Sequence, residues 1–250
     1  NLEKLALIDT PRIVRRQRRS AIATDVKDGE NGASSLLEEC PEVSRLAFAS
    51  VRDNPDLWLA AFALDGRAGR MTLGASEPLL GQMRLAWWRD QFGRSVAARP
   101  RGDILLDLIG RTWEGAEASL LALVDGWEAL LATRPLDETG MARFVGGREM
   151  LCVELAERVG EPSARSEAAR AGKLWAFANL TVHAQEDTER AWALDHGRQL
   201  AEPVPKLPGA LRPLAVIGGL ARRSLRSGGR EMLGDRFSPL VALRLGLFGR

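Results

Sequence analysis

From residue 36 onward, apolar side chains return every three or four positions, the spacing of amphipathic helices. Leu36, Leu37, Val43, Leu46 and Phe48 mark a first helical segment over 35–50. Asn54-Pro55-Asp56 reads as a turn or N-cap. Leu57, Trp58, Ala61, Phe62 and Leu64 then predict a helix from Leu57 to Met71. Over 77–97, Leu80, Met83, Trp87 and Phe92 predict an apolar stripe, with Ser76 as N-cap, Glu77 in the first turn and Pro78 at an early position. Pro100-Arg-Gly ends that segment, and further helices follow over 103–113, 116–133 and 137–159. After the Gly160-Glu-Pro162-Ser break, residues 163–195 read as one long, bent helical region. Pro203, Pro205, Pro208 and Pro213 punctuate a loop, and 210–226 and 237–248 close the chain. Short turns between helices predict an antiparallel, all-α bundle.

The first 35 residues break this pattern. Leu2, Leu5, Leu7 and Ile8 suggest a short helix that Pro11 interrupts, and a basic block, Arg12-Ile-Val-Arg-Arg-Gln-Arg-Arg19, follows. Residues 25–35 have the polar, glycine-containing make-up of a linker. We read 1–35 as a solvated basic arm and 36–250 as one helical domain. The alternative for the block is contact with anionic lipid, nucleic acid or an acidic partner.

Composition narrows the class. There is no Tyr in 250 residues, and runs of β-branched residues are scarce, which argues against strands. The net charge of +2 is nearly neutral and does not call for nucleic acid. Cys40 and Cys152 lack metal-ligand spacing and read as reduced thiols. No apolar run is long enough for a transmembrane helix, and the basic N-terminus lacks the apolar stretch of a signal peptide. A cytoplasmic location is expected, with a peripheral position at the inner membrane as its alternative.

The segment Ser76-Glu-Pro-Leu-Leu-Gly-Gln-Met-Arg-Leu-Ala-Trp-Trp-Arg-Asp90, with Trp87 and Trp88 flanked by Arg84 and Arg89, resembles a helix of the squalene/phytoene synthase family. It is similar to the branch that includes bacterial synthase-like proteins and a mitochondrial respiratory complex I assembly factor. The order of elements from about residue 44 to the C-terminus also fits that family. The resemblance implies an isoprenoid-synthase bundle and a cavity containing Phe62, Arg84, Trp87, Trp88, Asn179, His183, Glu186 and Asp187.

It also sets a chemical test. Head-to-head prenyl synthases hold substrate diphosphates through Mg²⁺ bound by two aspartate-rich motifs on facing helices. A hard cation takes carboxylate and phosphate oxygens, and the metal stabilises the leaving group. The stretch matching the first motif is Ala61-Phe-Ala-Leu-Asp-Gly-Arg-Ala-Gly-Arg-Met-Thr-Leu-Gly74. Asp65 is its only acid. The paired aspartates fall at about Gly69 and Arg70, and the third near Leu73. Alone, Asp65 reads as an exposed or capping residue rather than a ligand.

The second motif matches Gly172-Lys-Leu-Trp-Ala-Phe-Ala-Asn-Leu-Thr-Val-His-Ala-Gln-Glu-Asp187. Gly172, Phe177, Asn179, Glu186 and Asp187 coincide with it, but Val182 replaces the motif arginine and His183 its first aspartate. On one continuous helix His183 and Asp187 share a face at i, i+4. His183 reads as a satisfied histidine on a helix face, ahead of a metal ligand or a base.

The catalytic candidates are thus Asp65, His183 and Asp187, with no metal site and no cofactor expected. The reading is a synthase-like protein that has lost its Mg²⁺-diphosphate site and binds a prenyl or lipid ligand or a protein partner, as in an assembly factor. The alternative is an active prenyltransferase using displaced carboxylates, such as Asp65, Glu149, Glu154, Glu186 and Asp187, with Mg²⁺. A helical interaction protein unrelated to that family is the third. The apolar C-terminus, 237–250, reads as the last core helix, with a membrane-surface helix as its alternative.

Overall fold

A computed structural model describes residues 32–202, 206–234 and 238–248. The basic block, Pro203, Pro205 and most of the linker lie outside them. All the regular structure among the described residues is helical: α1 (32–39), α2 (Glu42–Phe48), α3 (Pro55–Leu73), α4 (Pro78–Phe92), α5 (Ile104–Thr112), α6 (Glu117–Ala129), α7 (Glu138–Arg158), α8 (Arg165–His183), α9 (Asp187–Gln199), α10 (Arg212–Arg226) and α11 (Ser238–Phe248), with short 3₁₀ turns between some of them. No described helix is long and apolar enough to cross a membrane.

α3 is the buried axis. Leu57 to Gly66 is buried at every position, so this helix is apolar all round rather than striped. α5 and α6 flank it, and the Trp113 indole N–H donates to the Leu57 carbonyl oxygen at 3.1 Å. α6, α7, α8 and α9 then follow side by side. Backbone approaches fix their directions. Gly126 meets Phe144 while Gly147 meets Ala122, so α6 and α7 run antiparallel. Gly172 lies on Arg148 while Arg165 pairs with Glu157, so α7 and α8 do too. α10 packs against α8 in the parallel sense, with Gly218 by Ala171 and Gly229 by Thr181. One apolar cluster runs from Leu36 to Ala242.

Several boundaries differ from the sequence expectation. The segment 35–50 is two helices, because Pro41 leaves the chain extended before α2. α4 ends at Phe92, and a 3₁₀ turn, Val96–Ala98, follows. Its N-cap is Glu77 rather than Ser76, with no side-chain cap and Pro78 at the first helical position.

Of the stripe expected over Leu80, Met83, Trp87 and Phe92, only Phe92 faces the core and the other three turn outward. Leu79 (62% exposed), Leu80, Met83 (63%) and Trp87 (38%) face solvent, while Gly81, Leu85, Trp88 and Phe92 are buried. A periodic stripe identifies one side of a helix but does not say which side is covered. Here Gly81 decides it, because a Cβ there would sit 2.8 Å from the Leu131 side chain, so that face lies against the body.

The long region 163–195 is broken. α8 ends at His183, Ala184 is extended, and α9 starts at Asp187. The C-terminus is intermediate between its two expectations. Ala242 is buried and Leu245 lies on Gly219 of α10, whereas Leu240, Leu243 and Leu247 are exposed.

Candidate functional site

A cleft of about 750 Å³ opens between the α1–α2 segment and α3, with side chains of α6, α7 and α8 behind it. Its volume lies in the range of small-molecule sites. Asp65 of α3 is at the bottom. It is not exposed or capping, as expected from sequence, but wholly buried. The correction follows from its place in the all-apolar half of α3, where a carboxylate must be paired. The partner is Arg148 of α7, 1% exposed, which donates from Nε to Oδ1 at 3.1 Å and from Nη2 to Oδ2 at 3.1 Å. The Trp127 indole N–H also donates to Asp65 Oδ1, at 2.9 Å.

Arg148 is enclosed by aromatic rings. Its guanidinium carbon lies 4.3 Å from the Trp175 ring centroid, 4.6 Å from that of Phe144 and 4.9 Å from that of Trp127. Such stacking favours a delocalised cation held away from water. Nη1 donates to Asn179 Oδ1 at 3.2 Å. His183, one helical turn on in α8, completes the floor. Burial, and then the charge of Arg148, hold its imidazole below the ordinary value of 6.5, with Glu231 opposing. It is therefore uncharged at neutral pH.

The rim is polar and largely self-neutralised. Glu39 accepts from Arg67 Nε at 2.8 Å and Nη2 at 2.7 Å, and from Arg70 Nη2 at 2.6 Å. Arg67 reaches on to Asp103, the N-cap of α5, at 2.8 Å. Arg67 and Arg70, the bases near the expected aspartate positions, thus tie α1 to α3. Glu38, Glu42 and Arg45 also line the cleft and have no ion-pair partner among the described residues. The Cys40 thiol donates to the Leu36 carbonyl oxygen, and burial together with the charges of Asp65 and Glu39 pushes it up to about 12.

Of the residues singled out in the sequence, Asp65, Asn179 and His183 meet in this cleft. Phe62 lies in the core instead, edge-on to Trp175 with ring centroids 6.2 Å apart. Arg84 and Trp87 are on the outer face of α4, and Trp88 is buried beneath Arg67. Glu186 and Asp187 are exposed at the start of α9, and the break before it removes the shared face expected of His183 and Asp187. Arg148 and Trp127 were missed. Their only sequence signal is indirect: an acid inside an all-apolar helix requires a buried donor, and Arg148 is 83 residues away.

A Mg²⁺ cluster would need several carboxylates converging on the cleft. Asp65 directs both oxygens at protein donors, Arg70 binds Glu39 at the rim, and Asp187 is elsewhere. The residues present do not fit that group. Among the described residues, no three His, Cys, Asp or Glu side chains are grouped to hold a metal. Compared with protein-family models, curated proteins and solved structures, the chain gives no match.

Proposed function

We propose that this chain is a squalene/phytoene synthase-like protein that binds a prenyl- or lipid-type ligand in the α1–α3–α8 cleft without turning over a diphosphate. The supporting observation is the use made of Asp65. An acid at the floor of such a bundle is a metal ligand only if its oxygens are available, and here both are bound by Arg148 and Trp127. Walls containing Trp127, Trp175 and Leu73 suit an apolar chain. The test is incubation with labelled farnesyl diphosphate and Mg²⁺, alongside native mass spectrometry of the protein with prenyl lipids. The expected result is a retained ligand and no product. Product formation that Asp187→Ala abolishes would instead establish a prenyltransferase.

A protein partner, as for an assembly factor, is the second reading. The exposed stripe of Leu79, Leu80, Met83 and Trp87 on α4 favours it, because such contiguous apolar surface is uncommon on a monomer. Pull-down with Met83→Ser as the control tests it, and equal recovery of partners by both forms would remove it.

A further inference from the structure

We infer that the ligand selected by this cleft is uncharged and carries one hydrogen-bond-accepting head, a hydroxyl or carbonyl oxygen, which docks on Arg148 and Asn179. The inference rests on the cleft-binding reading and narrows it to a chemical class.

The floor offers donors without offering net charge. A guanidinium has five N–H donors. Nε and one N–H of Nη2 go to Asp65, and one N–H of Nη1 goes to Asn179. One N–H remains on each of Nη1 and Nη2. Asn179 turns its carbonyl oxygen to Arg148, so its amide N–H₂ is left over as well. A ligand oxygen that accepts from this group satisfies donors that the protein leaves unused.

The same geometry disfavours an anion. Asp65 cancels the charge of Arg148 at 3.0 Å. His183 contributes none at neutral pH. At the rim, Glu39 and Asp103 together are matched by Arg67 and Arg70, which leaves Glu38 and Glu42 against Arg45, a balance of one negative charge. A diphosphate would carry several negative charges past that rim into an aromatic pocket with no unpaired cation at its floor. Removing such a group from water is costly unless it is paired. A single neutral oxygen needs only the spare donors, and the hydrocarbon behind it is served by the Trp127 and Trp175 walls.

Equilibrium binding to the full chain tests this with four probes of the same length class: farnesol, farnesylacetone, farnesene and farnesyl diphosphate with and without Mg²⁺. The alcohol and the ketone are expected to bind about fivefold or more tighter than farnesene, the scale of one good hydrogen bond. They should also bind at least about tenfold tighter than the diphosphate. Equal binding of farnesene would overturn the acceptor-head claim, and preferential binding of the diphosphate would overturn the charge argument. If none of the four binds, the cleft-binding reading itself fails.

Two variants read the charge argument directly. Asp65→Asn is nearly isosteric and uncovers the charge of Arg148, so the diphosphate should gain on farnesol by about tenfold or more. Glu38→Gln with Glu42→Gln changes only exposed rim residues and leaves the core intact. That double variant should move the ratio the same way by a few-fold, with the shift shrinking at high salt. An unchanged ratio in it would remove the rim from the account.

Discussion

Asp65 and Arg148 carry the largest single-residue stakes. Both are buried, and each satisfies the other. Arg148→Met should destabilise the protein by about 3–5 kcal/mol, because it strands a carboxylate in an aromatic pocket. The double variant Asp65→Leu with Arg148→Met should recover most of that loss, since apolar replacement of a whole buried pair is often neutral. Denaturant melts of the two single and one double variant check this, and additive losses would mean the pair is not coupled. His183 sets a pH window of its own. Its folded pKa lies below 6.5, so as pH falls below 6.5 the unfolded chain takes up a proton that the folded chain resists. Stability should therefore decline from there downward, and His183→Gln should flatten that slope in thermal melts. Glu189 acts at lower pH. Burial pushes it up, but the hydrogen bond from Arg134, those from the Leu136 and Gln185 N–H groups and the charge of Arg134 outweigh this and hold it low. Its stabilisation is present above the ordinary carboxylate range and lost as pH falls through the folded value.

At the scale of elements, the break between α8 and α9 explains why the shared face expected of His183 and Asp187 does not form. No Gly or Pro lies between Val182 and Asp187, so the residues themselves read as continuous helix. The stop is made by tertiary bonds. Arg190 donates to the Thr181 carbonyl oxygen and caps the end of α8. Glu189 accepts from the Gln185 N–H on one side and from Arg134 and the Leu136 N–H on the other, pinning the break to the α6–α7 loop. Glu189→Ala should cost about 3 kcal/mol, as expected for stranding half of a buried pair. It should also raise amide exchange across 184–187, and exchange left unchanged there would show the break to be intrinsic. Gly172 was visible in the sequence only as a motif match. Its physical reason is contact: a Cβ there would lie 2.6 Å from the Arg148 carbonyl oxygen. The helices with local punctuation, such as α5 after its Asp103 cap and α7 after Asp137, were readable to within a residue or two. What depended on partners tens of residues away, the burial of Asp65 and the outward face of α4, was not.

The whole molecule presents the cleft as a seam between a thin wall and a thick body. The body is α3 with α6, α7 and α8 around it. The wall is only α1 and α2, two short helices separated by Pro41. It is held from both sides. On one side Glu39 binds Arg67 and Arg70, with Gly66 close enough that a Cβ would come within 2.4 Å of the Glu39 carbonyl oxygen. On the other side α2 packs against α10 and α11. α11 braces that second attachment, since Leu245 covers Gly219 of α10 and Gly246 comes close to Ser50, just beyond α2. Ending the chain after residue 234 should therefore loosen the wall more than the body. Amide exchange over 42–48 should speed up by about tenfold or more while the middle of α3 stays protected. Ligand affinity should weaken in parallel. Met83→Ser on the outer face of α4 serves as the control, because that residue touches neither attachment and should leave both readouts unchanged. If the truncated chain keeps full protection over 42–48, the Glu39–Arg67–Arg70 attachment alone holds the wall. Arg67→Met should then open it.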